Sequence, residues 1–351
     1  MSRGQAIRFR QYELPPPSSS TTTVGPTITE FMEQWLEHVN KTRRHSTSQS
    51  YEGIVRRYVL PVIGHLRLTD LRREHVDRVL TSAQDRLCSN TVRLLRAVLG
   101  IALHRAERWE IPGARNVVRL TDPPRVEPRE LGFLEAAEAR LLLQAAAGDR
   151  LEIVYVLALF CGLRRGEICA LRWSDVDLDK REVHVRNTLH QEQGEFRLGE
   201  AKSTSSRRSI AMPMTAVSAV IAHRQRQIAE SWSGGDASAA KAAAQWNLIV
   251  TATTGKPLSK STLRGNFRRL LRKAGLPVIR IHDLRHSCAA LLLGAGVPPQ
   301  SVAGFLGHSD VKTTLNIYSH LGQAQNREAA ATLDRLLGRE QTIQQTFDWP
   351  Q

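Results

Sequence analysis

Two adjacent prolines, Pro123-Pro124, with Pro128 close behind, punctuate the middle of this chain. Proline fixes φ and has no amide donor, so neither a helix nor a central strand runs through such a stretch. At 351 residues the chain also exceeds what one hydrophobic core usually holds. The break therefore reads as a linker between two domains, over residues 120–132. Apolar residues at helical spacing stand on both sides of it, which points to a mainly helical protein.

Residues 1–26 combine Arg3, Arg8 and Arg10 with Pro15-Pro16-Pro17 and a Ser/Thr run, the composition of a flexible basic tail. Thr27-Ile28-Thr29-Glu30 is a capping box, followed by Ile28, Phe31, Met32, Trp35, Leu36 and Val39 on one helical face. A second box, Ser46-Thr47-Ser48-Gln49, precedes Tyr51, Ile54, Val55, Tyr58 and Val59, and Pro61 with Gly64 is expected to stop that helix. Val76, Val79 and Leu80 predict a third helix. Ser89 or Asn90 is placed to cap a fourth, whose inner face is Val92, Leu95, Leu99, Ala102 and Leu103. The result is a four-helix unit over residues 27–119. Arg43, Arg44, Arg56, Arg57, Arg93 and Arg96 decorate it; singly they are solvated residues, and as a group they read as a DNA-facing surface.

Beyond the linker, Phe133 to Ala147 and Leu151 to Cys161 read as helices. Alternation through Glu182 to Val185, Phe196 to Leu198 and Ser209 to Met212 predicts a small antiparallel sheet. Val217 to Ile228 returns to helix, Ser231 to Ala244 reads as a loop, and Leu248-Ile249-Val250 as a short strand. Ser259 caps a helix to Ala274, ended by Gly275. Short helices follow over Asp283 to Gly294, Pro299 to Leu306 and Val311 to Tyr318. The expected fold is mainly α with a small antiparallel β-sheet: a helical domain, then a mixed α/β domain over residues 133–325. In the last segment, 326–351, Ala329, Ala330, Leu333, Leu336 and Leu337 offer one more amphipathic helix.

Charge narrows the function. Lys and Arg number 49 against 34 Asp and Glu, a formal net charge of +15. Such an excess favours a polyanionic partner, since phosphate contacts release counterions, although a merely cationic surface gives the same total. The four cysteines, Cys88, Cys161, Cys169 and Cys288, form no C-x-x-C pair and read as core thiols in a reducing compartment. No apolar run reaches the length of a membrane helix and no signal peptide heads the chain, so a cytoplasmic protein with no membrane partner is expected.

Several residues carry possible chemistry. Arg164 stands three residues before Glu167, a spacing that serves a structural ion pair or a carboxylate steadying a working arginine. His282 and Arg285 open a helix with a very apolar later face, so the guanidinium would be packed on one side and free to grip two phosphate oxygens. Asp283 is an alternative partner for it. His282 and His286 are i,i+4, but Asp283 and Arg285 between them do not fit the H-E-x-x-H pattern of a zinc site, and no metal is expected. His308 follows Gly307 at a helix end, where a capping role is equally natural. Lys202 sits on the loop leading to Arg207 and Arg208, where a lysine is usually solvated; the two arginines join the expected DNA-binding set. Tyr318 shares a face with Leu315, which taken alone reads as core. Ionising a free phenol at neutral pH costs about 4 kcal/mol, so a nucleophilic Tyr318 needs cationic or basic neighbours.

Taken together, the segments Gly162 to Trp173, Ala201 to Arg208, His282-Asp283-Leu284-Arg285-His286 and Leu306 to Tyr318 resemble the motifs of the tyrosine recombinases, the phage integrase family, in order and in gaps. The resemblance extends from about Thr27 to Leu321; Ser203 departs from the threonine more usual after the lysine. It implies that Tyr318 attacks the scissile phosphate to give a 3′-phosphotyrosyl link. Arg164, Arg285 and His308 would bind that phosphate, His282 would assist proton removal, Lys202 would protonate the leaving oxygen, and Glu167 would support the site. Neither metal nor ATP is needed. The resemblance further implies a core-binding helical domain that completes a C-shaped clamp on double-stranded DNA, and a homotetramer on two DNA sites. Accessory proteins would bias direction, and the 326–351 segment would dock on a neighbouring protomer. Residues 1–26 are too few for the arm-site domain of many phage integrases, which fits a simpler recombinase or a late start. A type IB topoisomerase and a helix-turn-helix regulator are the competing readings. The helical N-terminal unit argues against the first, and the combination of Arg164, Lys202 and His282 against the second.

A polyanion held by lysine and arginine makes one firm demand. Affinity for duplex DNA, followed by fluorescence anisotropy, should fall steeply with added salt, by ~10³-fold or more between 50 and 200 mM if six or more phosphates are neutralised. A flat salt response would remove the nucleic-acid reading.

Overall fold

The computed structural model describes residues 25–125, 132–192, 194–200, 207–233, 237–308, 310–312, 314 and 315. Lys202, Tyr318, the basic tail and the 326–351 helix lie outside them. The chain divides into two compact units, Met1–Arg129 and Glu130–Gln351. In order, the elements are α1 (Ile28–Thr42), α2 (His45–Ile54), α3 (Leu60–Ile63), α4 (Arg73–Gln84) and α5 (Ser89–Arg108) in the first unit. The second holds α6 (Ala136–Ala146), α7 (Glu152–Phe160), α8 (Arg165–Ala170), β1 (Val176–Asp177), β2 (Glu182–Val185), β3 (Asn187–Glu192), β4 (Glu195–Glu200), β5 (Arg208–Ala211), α9 (Met214–Ser233), α10 (Ala237–Trp246), α11 (Lys260–Lys273), α12 (Ile281–Gly294) and α13 (Pro299–Leu306). The fold is mainly helical with small antiparallel sheets, as the periodicity requires.

In the first unit the capping box at Thr27 forms: the Glu30 amide donates to the Thr27 hydroxyl (3.2 Å) and the Thr27 amide to the Glu30 carboxylate (2.8 Å). The box at Ser46 does not. Helix α2 starts earlier, after Arg44, and Ser48 is buried with its hydroxyl donating to the Asn40 side chain of α1. Pro61 fails to stop the helix for a different reason. A π-helical turn over Val55–Val59 lies just before it, with the Leu60 amide reaching back five residues to Val55. Widening the helix there makes room for a ring that would otherwise strike the preceding turn, and α3 continues to Ile63. Neither Ser89 nor Asn90 caps α5; Cys88 occupies that position, with its sulfur 3.2 Å from the Thr91 hydroxyl.

In the second unit α7 is buried from Ile153 to Leu159 on all sides and is the axis of the core. Helix α6 starts at Ala136 rather than Phe133 because the Glu135 amide donates to the Glu138 carboxylate (2.9 Å) as an N-cap. The sheet has order β1-β2-β5, with Val183 opposite Ile210. Phe196 to Leu198 does not join it. Those residues lie in β4, which among the described residues pairs with β3 as a separate hairpin, Leu189 opposite Leu198. Alternation marks a strand without naming its partner. Two further expectations are corrected. Much of the stretch read as a loop over Ser231 to Ala244 is helix, because the alanines of α10 are the best helix formers and Gly and Ser beside them do not outweigh it. Leu248 to Val250 is buried but contributes one isolated bridge, Leu248 to Arg172, rather than a strand.

Gly64 ends the π-turn helix against the start of α1: its carbonyl accepts from the Thr29 amide (3.1 Å) and hydroxyl (2.9 Å). A Cβ there would lie 2.5 Å from the Leu60 carbonyl oxygen and 2.6 Å from the Thr29 hydroxyl. Gly53, within α2, has open space around it. Gly64→Ala should therefore destabilise the first unit by about 1–3 kcal/mol, the cost of overpacking. Gly53→Ala should instead stabilise it by ~0.5–1 kcal/mol through helix propensity. Denaturant unfolding of the full chain, with hydrogen exchange to localise the change, reads both signs.

Candidate active site

The site begins at a turn. Gly162 has φ +58°, and a Cβ there would run into the Leu306 side chain. This brings the end of α7 against the end of α13, and two residues later Arg164 becomes the N-cap of α8. The Arg164 amide donates to Glu167 Oε2 (2.9 Å) and its Nη1 to Oε1 (2.8 Å), while Nη2 reaches the Gly307 carbonyl (3.0 Å). Its side chain remains 34% exposed.

Arg285, in the second turn of α12, is 1% exposed. Nη1 donates to the Gly162 carbonyl and Nη2 to the Leu306 carbonyl, both at 2.6 Å. The sequence leaves open whether Asp283 would claim this guanidinium. It does not, since Asp283 pairs with Arg280 at 2.7 Å. Gly307, with φ +69°, closes α13 in the left-handed conformation and delivers His308, whose Nδ1 is 2.8 Å from the Thr314 hydroxyl. Arg164 and Arg285 thus meet at the Leu306–Gly307 turn that presents His308. His282 lies one turn before Arg285 with an exposed edge, its ring packed edge-on against His286 with centroids 5.0 Å apart.

Electrostatics follow from crowding cations around one carboxylate. Burial would raise the pKa of Glu167, but the hydrogen bonds and charge of Arg208, then those of Arg164, outweigh it and hold the pKa below the ordinary value. His308 is pushed down to about 4, by burial first and then by Arg285 and Arg164. His282 is also pushed down to about 4, by burial and then by His286 and Arg285. Burial also lowers Arg285, to about 9, which leaves it cationic at neutral pH. Both histidines are therefore neutral in the free protein. Among the described residues, three guanidiniums against one carboxylate leave this turn net positive and suited to an anion.

The structure redistributes the expected DNA-binding arginines. Arg43, Arg44, Arg57 and Arg93 are exposed, as is Arg56, which pairs with Glu52 at 2.8 Å. Arg96 instead turns inward, donating to the Thr121 hydroxyl (3.0 Å) and to the Val118 (3.1 Å) and Thr121 (2.7 Å) carbonyls, so it fastens its own domain. Arg207 is exposed, but Arg208 is 8% exposed and paired with Glu167. The period of two along β5 marks this, because Arg208 shares a face with the buried Ile210. A basic face also escaped the motif reading. On α11, Lys260, Arg264, Arg268, Arg269, Arg272 and Lys273 are all exposed opposite the buried Leu263, Phe267, Leu270 and Leu271. No ion pair among the described residues engages these six. The signal was present as six cations and no acid within 14 residues. Among the described residues, no group of three His, Cys, Asp or Glu could hold a metal, and no helix is long and apolar enough to cross a membrane.

Comparison with known proteins gives the same picture from outside. The phage integrase family model matches residues 132–325, and that of the phage integrase N-terminal SAM-like domain matches 27–82. A XerC-like tyrosine recombinase of Caldanaerobacter subterraneus subsp. tengcongensis is 27% identical over 328 residues, covering 88% of this chain and 83% of that protein. An integrase of Streptomyces ambofaciens is 29% identical over 329 residues, covering 90% and 81%. Among solved structures, the Tn1549 transposon integrase in complex with transposon right end DNA shares the fold, with TM-score 0.70 at 22% identity over 89% of this chain and 99% of that one. A lambda integrase dimer bound to a COC' core site does so with TM-score 0.62 at 18% identity, over 86% and 79%. With the integrase model spanning more than half of its length, the chain belongs to the phage integrase family and is a tyrosine-type site-specific DNA recombinase.

Proposed function

We propose that Arg164, Arg285 and His308 bind the scissile phosphate of duplex DNA and that Tyr318 is the nucleophile. The observation that carries this reading is the meeting of both guanidiniums on the turn that presents His308. Arg164 offers the more accessible of the two, and Arg285 backs it from below. The Tyr318 oxygen forms a bond to phosphorus as the bond to the 5′ oxygen breaks. His282, neutral beforehand, accepts the phenol proton, and Lys202 protonates the leaving oxygen. The phosphotyrosyl link conserves the energy of the phosphodiester, so a 5′-hydroxyl from a second duplex reverses the step without ATP or metal. Glu167 keeps Arg164 in place. The exposed face of α11 and the arginines Arg43, Arg44, Arg57, Arg93 and Arg207 supply sequence-independent grip on the backbone. Recombination joins two duplexes, so the working species is a tetramer on two sites, acting on DNA in the cytoplasm. Solved lambda integrase structures include a tetramer bound to a Holliday junction.

A nicked suicide substrate tests the chemistry, because it traps the covalent protein–DNA adduct. The wild-type protein should give the adduct in the presence of a chelator, and Tyr318→Phe should give none while retaining DNA affinity. Arg164→Ala should slow adduct formation roughly 10²–10³-fold, as loss of one oxyanion donor does. An adduct from Tyr318→Phe would identify another nucleophile.

The histidines generate a separate expectation. His282 and His308 titrate near 6.5 when unfolded and at about 4 when folded. Between those values the unfolded chain binds more protons, so the DNA-free protein should lose stability as pH falls from about 6.5 to 4. A bound phosphate raises both folded values and should shrink that loss. Thermal melts across this range, with and without DNA, should show the two profiles converge at neutral pH once the constant gain from binding is subtracted. Parallel profiles throughout would argue that no anion reaches the histidines.

A further inference from the structure

Glu167 accepts from two arginines. Arg208 Nη1 lies 3.2 Å from Oε1 and Nη2 3.1 Å from Oε2, a forked pair on a carboxylate that is only 4% exposed. Arg208 Nε also lies 3.3 Å from the Phe305 carbonyl, near the end of α13. Arg208 stands on β5, opposite Val185 of β2. One side chain therefore ties the three-stranded sheet to α8 and to the helix that delivers His308. Arg164 completes the set through Glu167 and Gly307.

We infer that Arg208 is a positioning residue for strand cleavage: its fork on Glu167 and its bond to Phe305 fix the orientation of Arg164 and of the turn that presents His308. The inference rests on the proposed phosphate-binding role of Arg164 and His308. Arg208 itself, buried behind Glu167, touches neither DNA nor the reacting atoms. Its contribution is geometric, holding the carboxylate so that Arg164 keeps Nη1 on Glu167 and Nη2 on the Gly307 carbonyl. It is also electrostatic. With Arg208 gone, Glu167 retains its burial but loses the largest stabilisation of its charge, so the carboxyl takes up a proton at higher pH. A protonated Glu167 no longer accepts the full set of bonds from Arg164.

The test measures adduct formation on the nicked substrate at saturating protein, across pH, for Arg208→Ala, Arg208→Lys, Glu167→Gln and the double variant Arg208→Ala/Glu167→Gln. DNA affinity and melting temperature are measured alongside. Arg208→Ala should slow cleavage by up to ~100-fold, the scale of a small misplacement of reacting groups, with DNA affinity nearly unchanged. Its acid limb should move to higher pH. Arg208→Lys keeps the charge but lacks the fork; it should recover part of the rate and most of the pH profile, and it reports if Arg208→Ala does not fold. The shift of the acid limb should vanish in the double variant, whose loss should fall short of the product of the single losses. Wild-type cleavage by Arg208→Ala, or multiplicative losses with an unmoved acid limb, would overturn the role of Arg208. Where only Arg208→Lys folds, wild-type cleavage with an unmoved acid limb would do the same. An adduct that survives Tyr318→Phe would instead overturn the reading of the site on which it stands.

Discussion

Everything at the site depends on how the C-terminal end of α13 is satisfied. A helix leaves its last carbonyls without intrahelical partners and gathers a partial negative charge there. Here the amides of Gly307 and His308 fold back to the Gly304 (3.1 Å) and Ala303 (2.9 Å) carbonyls, which the left-handed Gly307 permits. The next three carbonyls, Phe305, Leu306 and Gly307, each accept one arginine: Arg208, Arg285 and Arg164 in that order. Guanidiniums from a strand and two helices converge on one helix end. Burying such groups is costly unless they are hydrogen-bonded and compensated. The carbonyl dipoles and the single Glu167 carboxylate provide both.

The same arrangement explains why the site is unfinished without a substrate. Three cations share one carboxylate, so a further negative charge is welcome where a second carboxylate would neutralise the wall. Neutral histidines suit this state, because protonating them beside Arg164 and Arg285 adds repulsion. An incoming phosphate changes the sign of that interaction. Its charge favours the protonated or hydrogen-bond-donating form of each ring only after it has arrived. On the proposed function, the protein is thereby prepared for the charge that develops during cleavage.

Much of this was legible in the sequence, and the misses have identifiable causes. Arg164, Glu167, Arg285 and His308 were picked out by motif spacing, and the structure brings them together. Lys202 and Tyr318 lie outside the described residues, so their roles stand on the resemblance. An arginine on a loop-to-strand boundary in a basic chain suggests a surface role, but the phase of Arg208 with Ile210 on β5 carries the contrary signal. Arg96 misleads likewise, as a long polar side chain reaching neighbouring carbonyls looks like a solvated one in one dimension. Pro61 shows a limit of another kind. Its meaning depends on whether the preceding turn can widen, and the π-turn over Val55–Val59 is a tertiary outcome that no local pattern dictates. The sheet reading failed on partners, since alternation in β4 is the same whether it pairs with β3 or with β5.

The distribution of charge separates two tasks that the total of +15 merges. The exposed cations of α11 and of the first unit face solvent, where salt screens them within about a Debye length. On the proposed function they serve encounter and non-specific grip, and losing one should weaken binding by a small increment. Arg208, Arg285 and Glu167 are shielded from that screening, and their interactions are correspondingly stronger and more geometric. Arg164 stands between the two groups, part-exposed and anchored by Glu167 and Gly307. A single polyanion thus meets two kinds of cation in this protein. On the proposed function, the outer ones respond to the charge of the DNA backbone as a whole, while Arg164 and Arg285 respond to the position of one phosphate and Arg208 acts only through Glu167.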